Sequence, residues 1–236
     1  MRVTNIADLR VRIAGGADRE GSGDGPVVVL LHGFGAPGDD LAPFWRTLRA
    51  PAGTRFVFPE APLELGGAYA NGRAWWHVDL EARLRRQAEG RPPDPRDIPE
   101  GLDAARAKVV ALLGELANAL QAPPAKVVLG GFSQGAMLSL DVALSSTHGL
   151  AGLVLMSGTH IAADEWSARY EGRRGLPVFM SHGREDDLLP FAVAEALRDE
   201  LDSHGMPVDW LPFRGGHGIP WEVLDGASAF LRRVLG

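Results

Sequence analysis

The chain contains no cysteine. Disulfides, thiolate metal sites and a cysteine nucleophile are therefore excluded together, and no redox compartment is implied. Dense basic runs are also missing. Lys and Arg number 24 against 30 Asp and Glu over 236 residues, a formal net charge of −6. Phosphate backbones are bound mainly through Lys and Arg, so a nucleic-acid partner is not expected. Where arginines gather, Arg83, Arg85 and Arg86 alternate with Glu81 and Glu89, the pattern of a solvated face. The longest apolar stretch, in GPVVVLLHGFG, is far shorter than the ~20 residues a bilayer requires. The N-terminal MRVTNIADLRVRIAGG is interrupted by Arg and Asp and lacks the apolar core of a signal peptide. These absences predict a cytoplasmic protein without stable membrane insertion. The dominance of arginine over lysine points to a GC-rich bacterial genome.

The material that is present is that of one large core: 45% hydrophobic and 23% charged residues. Short apolar runs alternate with helical patterns. Strands are predicted at Val27–Leu31, Arg55–Phe58, Lys126–Leu129, Leu150–Met156, Pro177–Ser181 and Val208–Phe213. Helices are predicted over Asp39–Arg49, around Leu80–Gln87, across residues 101–121, from Gln134, over Phe191–Ser203 and over Trp221–Leu235. In the 101–121 segment, Val109, Leu113, Leu116 and Leu120 form a one-sided stripe that Pro123-Pro124 ends. Such alternation implies an α/β fold with a mainly parallel sheet covered on both faces. Residues 1–236 read as a single domain. Gly66–Pro99, rich in Gly, Pro and Arg, reads as a surface excursion.

The segment VVLGGFSQGAMLSL passes from a strand through Gly131-Phe132-Ser133-Gln134-Gly135 into a helix. This G-x-S-x-G pattern at a strand-to-helix corner is the arrangement that holds a serine hydroxyl out for nucleophilic attack. A Cβ at either glycine would collide with the packing of so tight a turn. Composition alone produces roughly 0.16 such matches, so the motif needs support from elsewhere in the chain.

A serine hydroxyl needs a base, and the base an orienting carboxylate. On this architecture they follow in the order Ser, acid, His. Downstream, FMSHGREDDLLP and PFRGGHGIPWEVL each follow a predicted strand. His217, between glycines in the second segment, is the candidate base. Glu185, Asp186 and Asp187 are consecutive, and spacing does not choose among them. His182 at a strand end reads as structural, and His32 as a residue bonding loop backbone beneath the site. His77, His148, His160 and His204 read as ordinary loop or surface residues.

An oxyanion hole takes one backbone N–H from the residue after the nucleophile, here Gln134, and one from an earlier strand-to-helix loop. HGFGAPGDD after the first long strand offers Phe34. Trp75 and Trp76 are candidates for an apolar wall of the substrate site or for packing on the sheet. No HExxH, phosphate-binding loop or dinucleotide fingerprint occurs, so neither metal nor organic cofactor is expected.

Taken together, LLHGFGAPGDD, FPEAP, RAWWHVDL, GGFSQGAMLSL, SHGREDDLLP and GGHGIPWEVL resemble the phospholipase/carboxylesterase family of α/β-hydrolases, which includes acyl-protein thioesterases. The resemblance covers most of the chain. It implies an α/β-hydrolase fold with little or no cap, Ser133 as nucleophile, His217 as base, and Phe34 and Gln134 as oxyanion donors. The family pattern H-G-x-x-D-x-x-V-P lands on His182, Gly183, Asp186 and Pro190, which makes Asp186 the acid. It also implies a serine carboxylesterase acting on a small-molecule ester. Thioesterase and lysophospholipase activities are the alternatives within enzymes, a non-catalytic binding protein on the same fold is the alternative outside them, and pairing of two copies is left open.

Overall fold

The computed structural model describes residues 1–90, 94–120, 123 and 126–236. Ten strands and six α-helices are assigned among the described residues. The chain opens with an antiparallel hairpin, β1 (Arg2–Ile6) and β2 (Leu9–Gly15). Then follow β3 (Val27–Leu31), β4 (Arg55–Pro59), and a small ribbon of β5 (Leu63–Glu64) with β6 (Arg73–Ala74). Next come α1 (Leu80–Ala88), α2 (Leu102–Ala119), β7 (Val127–Phe132), α3 (Gln134–Ser145) and β8 (Gly152–Met156). The chain finishes with α4 (Ala163–Ser167), β9 (Val178–Gly183), α5 (Phe191–Ser203), β10 (Val208–Phe213) and α6 (Trp221–Leu235).

Eight strands form one sheet in the order β1-β2-β4-β3-β7-β8-β9-β10. Every pairing from β4 to β10 is parallel; β1–β2 and β2–β4 are antiparallel. Successive residues of β3 divide between two cores, because side chains alternate across a sheet. Val27, Val29 and Leu31 pack with α2, α3 and α5, whereas Val28 and Leu30 pack with α6. Both faces are covered, which explains why β3 reads VVVLL with no polar break. The fold is the α/β-hydrolase fold.

The hairpin and the segment after β3 depart from the sequence reading. That reading assigns no strand to residues 2–15, yet they form the hairpin. Its signal is the alternation Leu9-Arg10-Val11-Arg12-Ile13, whose apolar members are buried. Ala7 and Asp8 both take positive φ (49° and 60°), as a two-residue hairpin turn of this hand requires. The helix predicted over Asp39–Arg49 shortens to a 3₁₀ turn at Ala42–Arg46. Pro51 disfavours helical geometry at the residue before it, and the segment lacks the length to continue. The predicted end of the long helix at Gln121 and Pro124 lies outside the described residues; α2 runs to Ala119.

In-register pairing aligns the carboxyl ends of the central strands: Leu31 with Gly131, Phe132 with Met156, and Phe213 with Gly183. The loops after β3, β7, β8, β9 and β10 therefore emerge along a common edge, where open α/β sheets bind ligands.

Candidate active site

Ser133 caps α3 with φ 54° and ψ −117°, a conformation that costs a non-glycine residue on the order of 1–3 kcal/mol. Surrounding structure enforces it. The Ser133 N–H donates to Met156 O at 2.9 Å, and its carbonyl accepts the N–H groups of Ala136 and Met137 at 3.0 and 3.1 Å. The flanking glycines are required by close approach. A Cβ at Gly131 would stand 2.4 Å from Leu31 O, and one at Gly135 2.0 Å from the same oxygen. The helix is thus pressed against the end of β3, with Ser133 held out at its first turn.

His217 follows β10, and its ring sits 4.8 Å from that of Phe132, the residue before the serine. Its Nδ1 lies 2.7 Å from Asp186 Oδ2. The other carboxylate oxygen, Oδ1, accepts the N–H groups of Leu188 and Leu189 at 2.9 and 2.8 Å. Burial disfavours charge on Asp186, but the N–H groups of His182, His217 and Leu189 that face it outweigh burial and hold the carboxyl below its usual range. An ionised carboxylate only accepts, so Nδ1 of His217 carries the proton and its Nε2 is left as the basic nitrogen.

Ser133, Phe132 and His217 line a cavity of about 510 Å³ together with Gly33, Phe34, Trp76, Met137 and Ile161. Its walls are mainly apolar. Among the described residues the N–H groups of Phe34 and Gln134 have no acceptor, and both residues border the same cavity. A Cβ at Gly33 would come within 3.3 Å of Ser133 Cβ, so the loop after β3 approaches the serine closely. Among the described residues no group of His, Cys, Asp and Glu could hold a metal ion.

A family model described as phospholipase/carboxylesterase matches residues 19–235. The chain belongs to the phospholipase/carboxylesterase family. This makes it a member of a family of serine hydrolases that includes esterases and acyl-protein thioesterases. It is 32% identical over 217 residues to acyl-protein thioesterase 1 of Eremothecium gossypii, covering 88% of this chain and 87% of the relative. The corresponding protein of Kluyveromyces lactis is 27% identical, with 89% and 92% covered. The crystal structure of esterase PE8 superposes with a TM-score of 0.78 at 32% identity, covering 96% of this chain and 99% of that one. A Bacillus cereus carboxylesterase shares the fold, with a TM-score of 0.69 at 19% identity and 96% and 94% covered.

In this family member the two tryptophans diverge. Trp76 borders the cavity, whereas Trp75 is buried beneath it, its indole N–H on His32 O at 3.0 Å. Trp75 is thus a packing residue and does not reach the cavity wall. His32 does bond loop backbone: Nδ1–H donates to Gly33 O at 2.8 Å and Nε2 accepts the Ala61 N–H at 2.9 Å. Burial holds its pKa below the ordinary histidine value, and the two bonds define a neutral ring.

Two histidines read as ordinary, His77 and His160, turn out to line the cavity. His160 is buried, stacked on Trp166 at 5.3 Å, and faces Glu200 at 3.4 Å. Sequence spacing carried no sign of this, because the loop after β8 is brought over the cavity only by the sheet order. The side chain of Gln134 also has a second role. Its Oε1 accepts the Trp75 N–H and its Nε2 donates to Trp76 O, both at 2.9 Å, which ties the tryptophan segment to α3.

Proposed function

We propose that the protein is a serine carboxylesterase working through an acyl-enzyme, with Ser133 as nucleophile, His217 as general base and Asp186 as its orienting acid. The observation that carries this reading is the His217 Nδ1–Asp186 Oδ2 bond at 2.7 Å, with His217 bordering the same cavity as the strained Ser133. Nε2 of His217 takes the Ser133 proton as Oγ attacks the ester carbonyl. The N–H groups of Phe34 and Gln134 receive the developing oxyanion, aided by the positive end of α3. The imidazolium then protonates the leaving alcohol, and water repeats the sequence on the acyl-enzyme while Asp186 stabilises the charged ring. The mainly apolar cavity takes the acyl group, with Trp76 as part of its wall.

The name of the fungal relatives, acyl-protein thioesterase 1, favours a second reading in which the leaving group is a thiol. The same side chains would serve both. A substrate panel of p-nitrophenyl esters of graded length, acyl thioesters and lysophospholipids, run on wild type and Ser133→Ala, distinguishes them. Ser133→Ala is expected to lose roughly 10⁶ in kcat. A fluorophosphonate probe is expected to label Ser133 and not the variant. Retention of most activity by Ser133→Ala overturns the proposal.

A further inference from the structure

His182, in β9, is fully buried and takes no part in the mechanism above. Its Nε2 lies 2.8 Å from the Leu189 carbonyl and 3.2 Å from Asp186 Oδ2. Both neighbours are acceptors, so Nε2 carries the proton; it donates to the Leu189 carbonyl and turns its positive edge toward Asp186 Oδ2. Nδ1 then presents a lone pair, and it has no partner among the described residues. A buried polar atom left alone is unfavourable, and an apolar side chain at this position would avoid it. What the imidazole provides in exchange is a bond to Leu189, whose own N–H holds Asp186 Oδ1, and a positive N–H edge 3.2 Å from Oδ2, the oxygen that receives His217 Nδ1–H.

From this arrangement we infer that His182 is a positioning residue for the proposed triad: by anchoring Leu189 and setting its N–H edge against Asp186 Oδ2 it sets the orientation of that carboxylate and the basicity of His217. The inference rests on the reading of Ser133, Asp186 and His217 as catalytic. On the Asp186 loop, Glu185 faces Arg214 at 3.7 Å, Asp187 is the next residue, and Arg184 lies over the Phe191 ring at 5.0 Å. Among the described residues, His217 bonds Asp186 and His182 sets its N–H edge 3.2 Å from the same oxygen. Removing the His182 donor concentrates the carboxylate charge on His217 and stabilises its imidazolium.

The test compares pH profiles of kcat/KM for wild type, His182→Leu, His182→Gln and His182→Asn, with a parallel NMR titration of the His217 ring. Gln presents an amide donor near the place of Nε2, and Asn does not. His182→Leu is expected to move the acid limb to higher pH, so that the rate near pH 5.5 relative to the plateau falls about threefold. The His217 titration is expected to move in the same direction. Gln restores the wild-type limb and Asn does not, a comparison that also serves if the leucine variant fails to fold. A limb and a His217 titration that stay in place in every variant overturn the inference, whatever happens to the plateau. Because the NMR readout needs no turnover, failure of the triad reading, seen as activity in Ser133→Ala, is separable from failure of this coupling.

Discussion

Gly135→Ala probes the physical premise of the serine corner. The added Cβ would stand 2.0 Å from Leu31 O, 2.5 Å from Leu31 C and 2.7 Å from His32 O. All three are backbone atoms, so no side-chain rotation relieves the clash. Reaching ordinary contact at 3.4 Å needs a displacement on the order of 1.4 Å between α3 and the end of β3. Ser133 and the Gln134 N–H sit at the start of α3, while the Phe34 N–H belongs to the loop leaving β3. The displacement therefore opens the gap between the two proposed oxyanion donors. A misplacement of about 1 Å can cost about 10² in rate, so kcat is expected to fall at least that far. Overpacking costs about 1–3 kcal/mol, and the better helix propensity of Ala offsets up to about 1 kcal/mol of it. Net destabilisation of up to about 3 kcal/mol follows, below the roughly 5–15 kcal/mol by which domains are stable, so the variant is expected to stay folded. Ester turnover measured alongside urea unfolding reads both quantities. Gly172→Ala is the control, since nothing lies within 4 Å of a Cβ there, and it should leave both unchanged. A folded Gly135→Ala that keeps kcat within about threefold of wild type would refute the geometric argument.

Gln134→Ala strands the Trp75 N–H and the Trp76 carbonyl in a buried setting, so unfolding experiments should show a loss of about 2–4 kcal/mol. In Arg106→Met, the fully buried Asp141 loses its two guanidinium bonds at 2.6 and 3.0 Å and keeps, among the described residues, the Trp166 indole N–H at 2.9 Å. An uncompensated buried charge costs about 3–5 kcal/mol, which denaturant titration would register. Burial depresses the His160 pKa from 6.5, against the pull of Glu200. The unfolded chain then binds more protons than the folded one as pH drops below 6.5, so stability is present above that value and declines beneath it. His160→Phe removes one group that charges on unfolding. Its unfolding free energy should therefore fall less than that of wild type between about pH 7.5 and pH 5.5, with His32 still contributing a residual slope.

Much of the molecule was legible in the sequence because the relevant physics is local. The run Val27–Leu31, with no polar break, states that both its faces are covered. The boundaries Phe191–Ser203 and Trp221–Leu235 follow from amphipathic spacing between Pro, Gly and strand residues, and the helices occupy those residues. The N-terminal hairpin was equally written there, in the alternation from Leu9 to Ile13. Its turn carries no matching signal, because Ala-Asp is an unusual pair for a turn with positive φ at both positions. The shortened turn at Ala42–Arg46 shows the reverse, a helical pattern overridden by its proline neighbour.

By itself, the sequence determined the strand–helix alternation, the serine between two glycines, and the order of serine, acid and histidine along the chain, because each depends on residue type and short-range spacing. Spacing alone could not choose among Glu185, Asp186 and Asp187; the family pattern pointed to Asp186, and the bond to His217 is a tertiary contact. Tertiary structure alone separated Trp76 from Trp75, brought His160 over the cavity, and set His182 behind the carboxylate. Those outcomes depend on which strands become neighbours and how far each loop reaches, quantities that arise only when distant segments share one sheet edge.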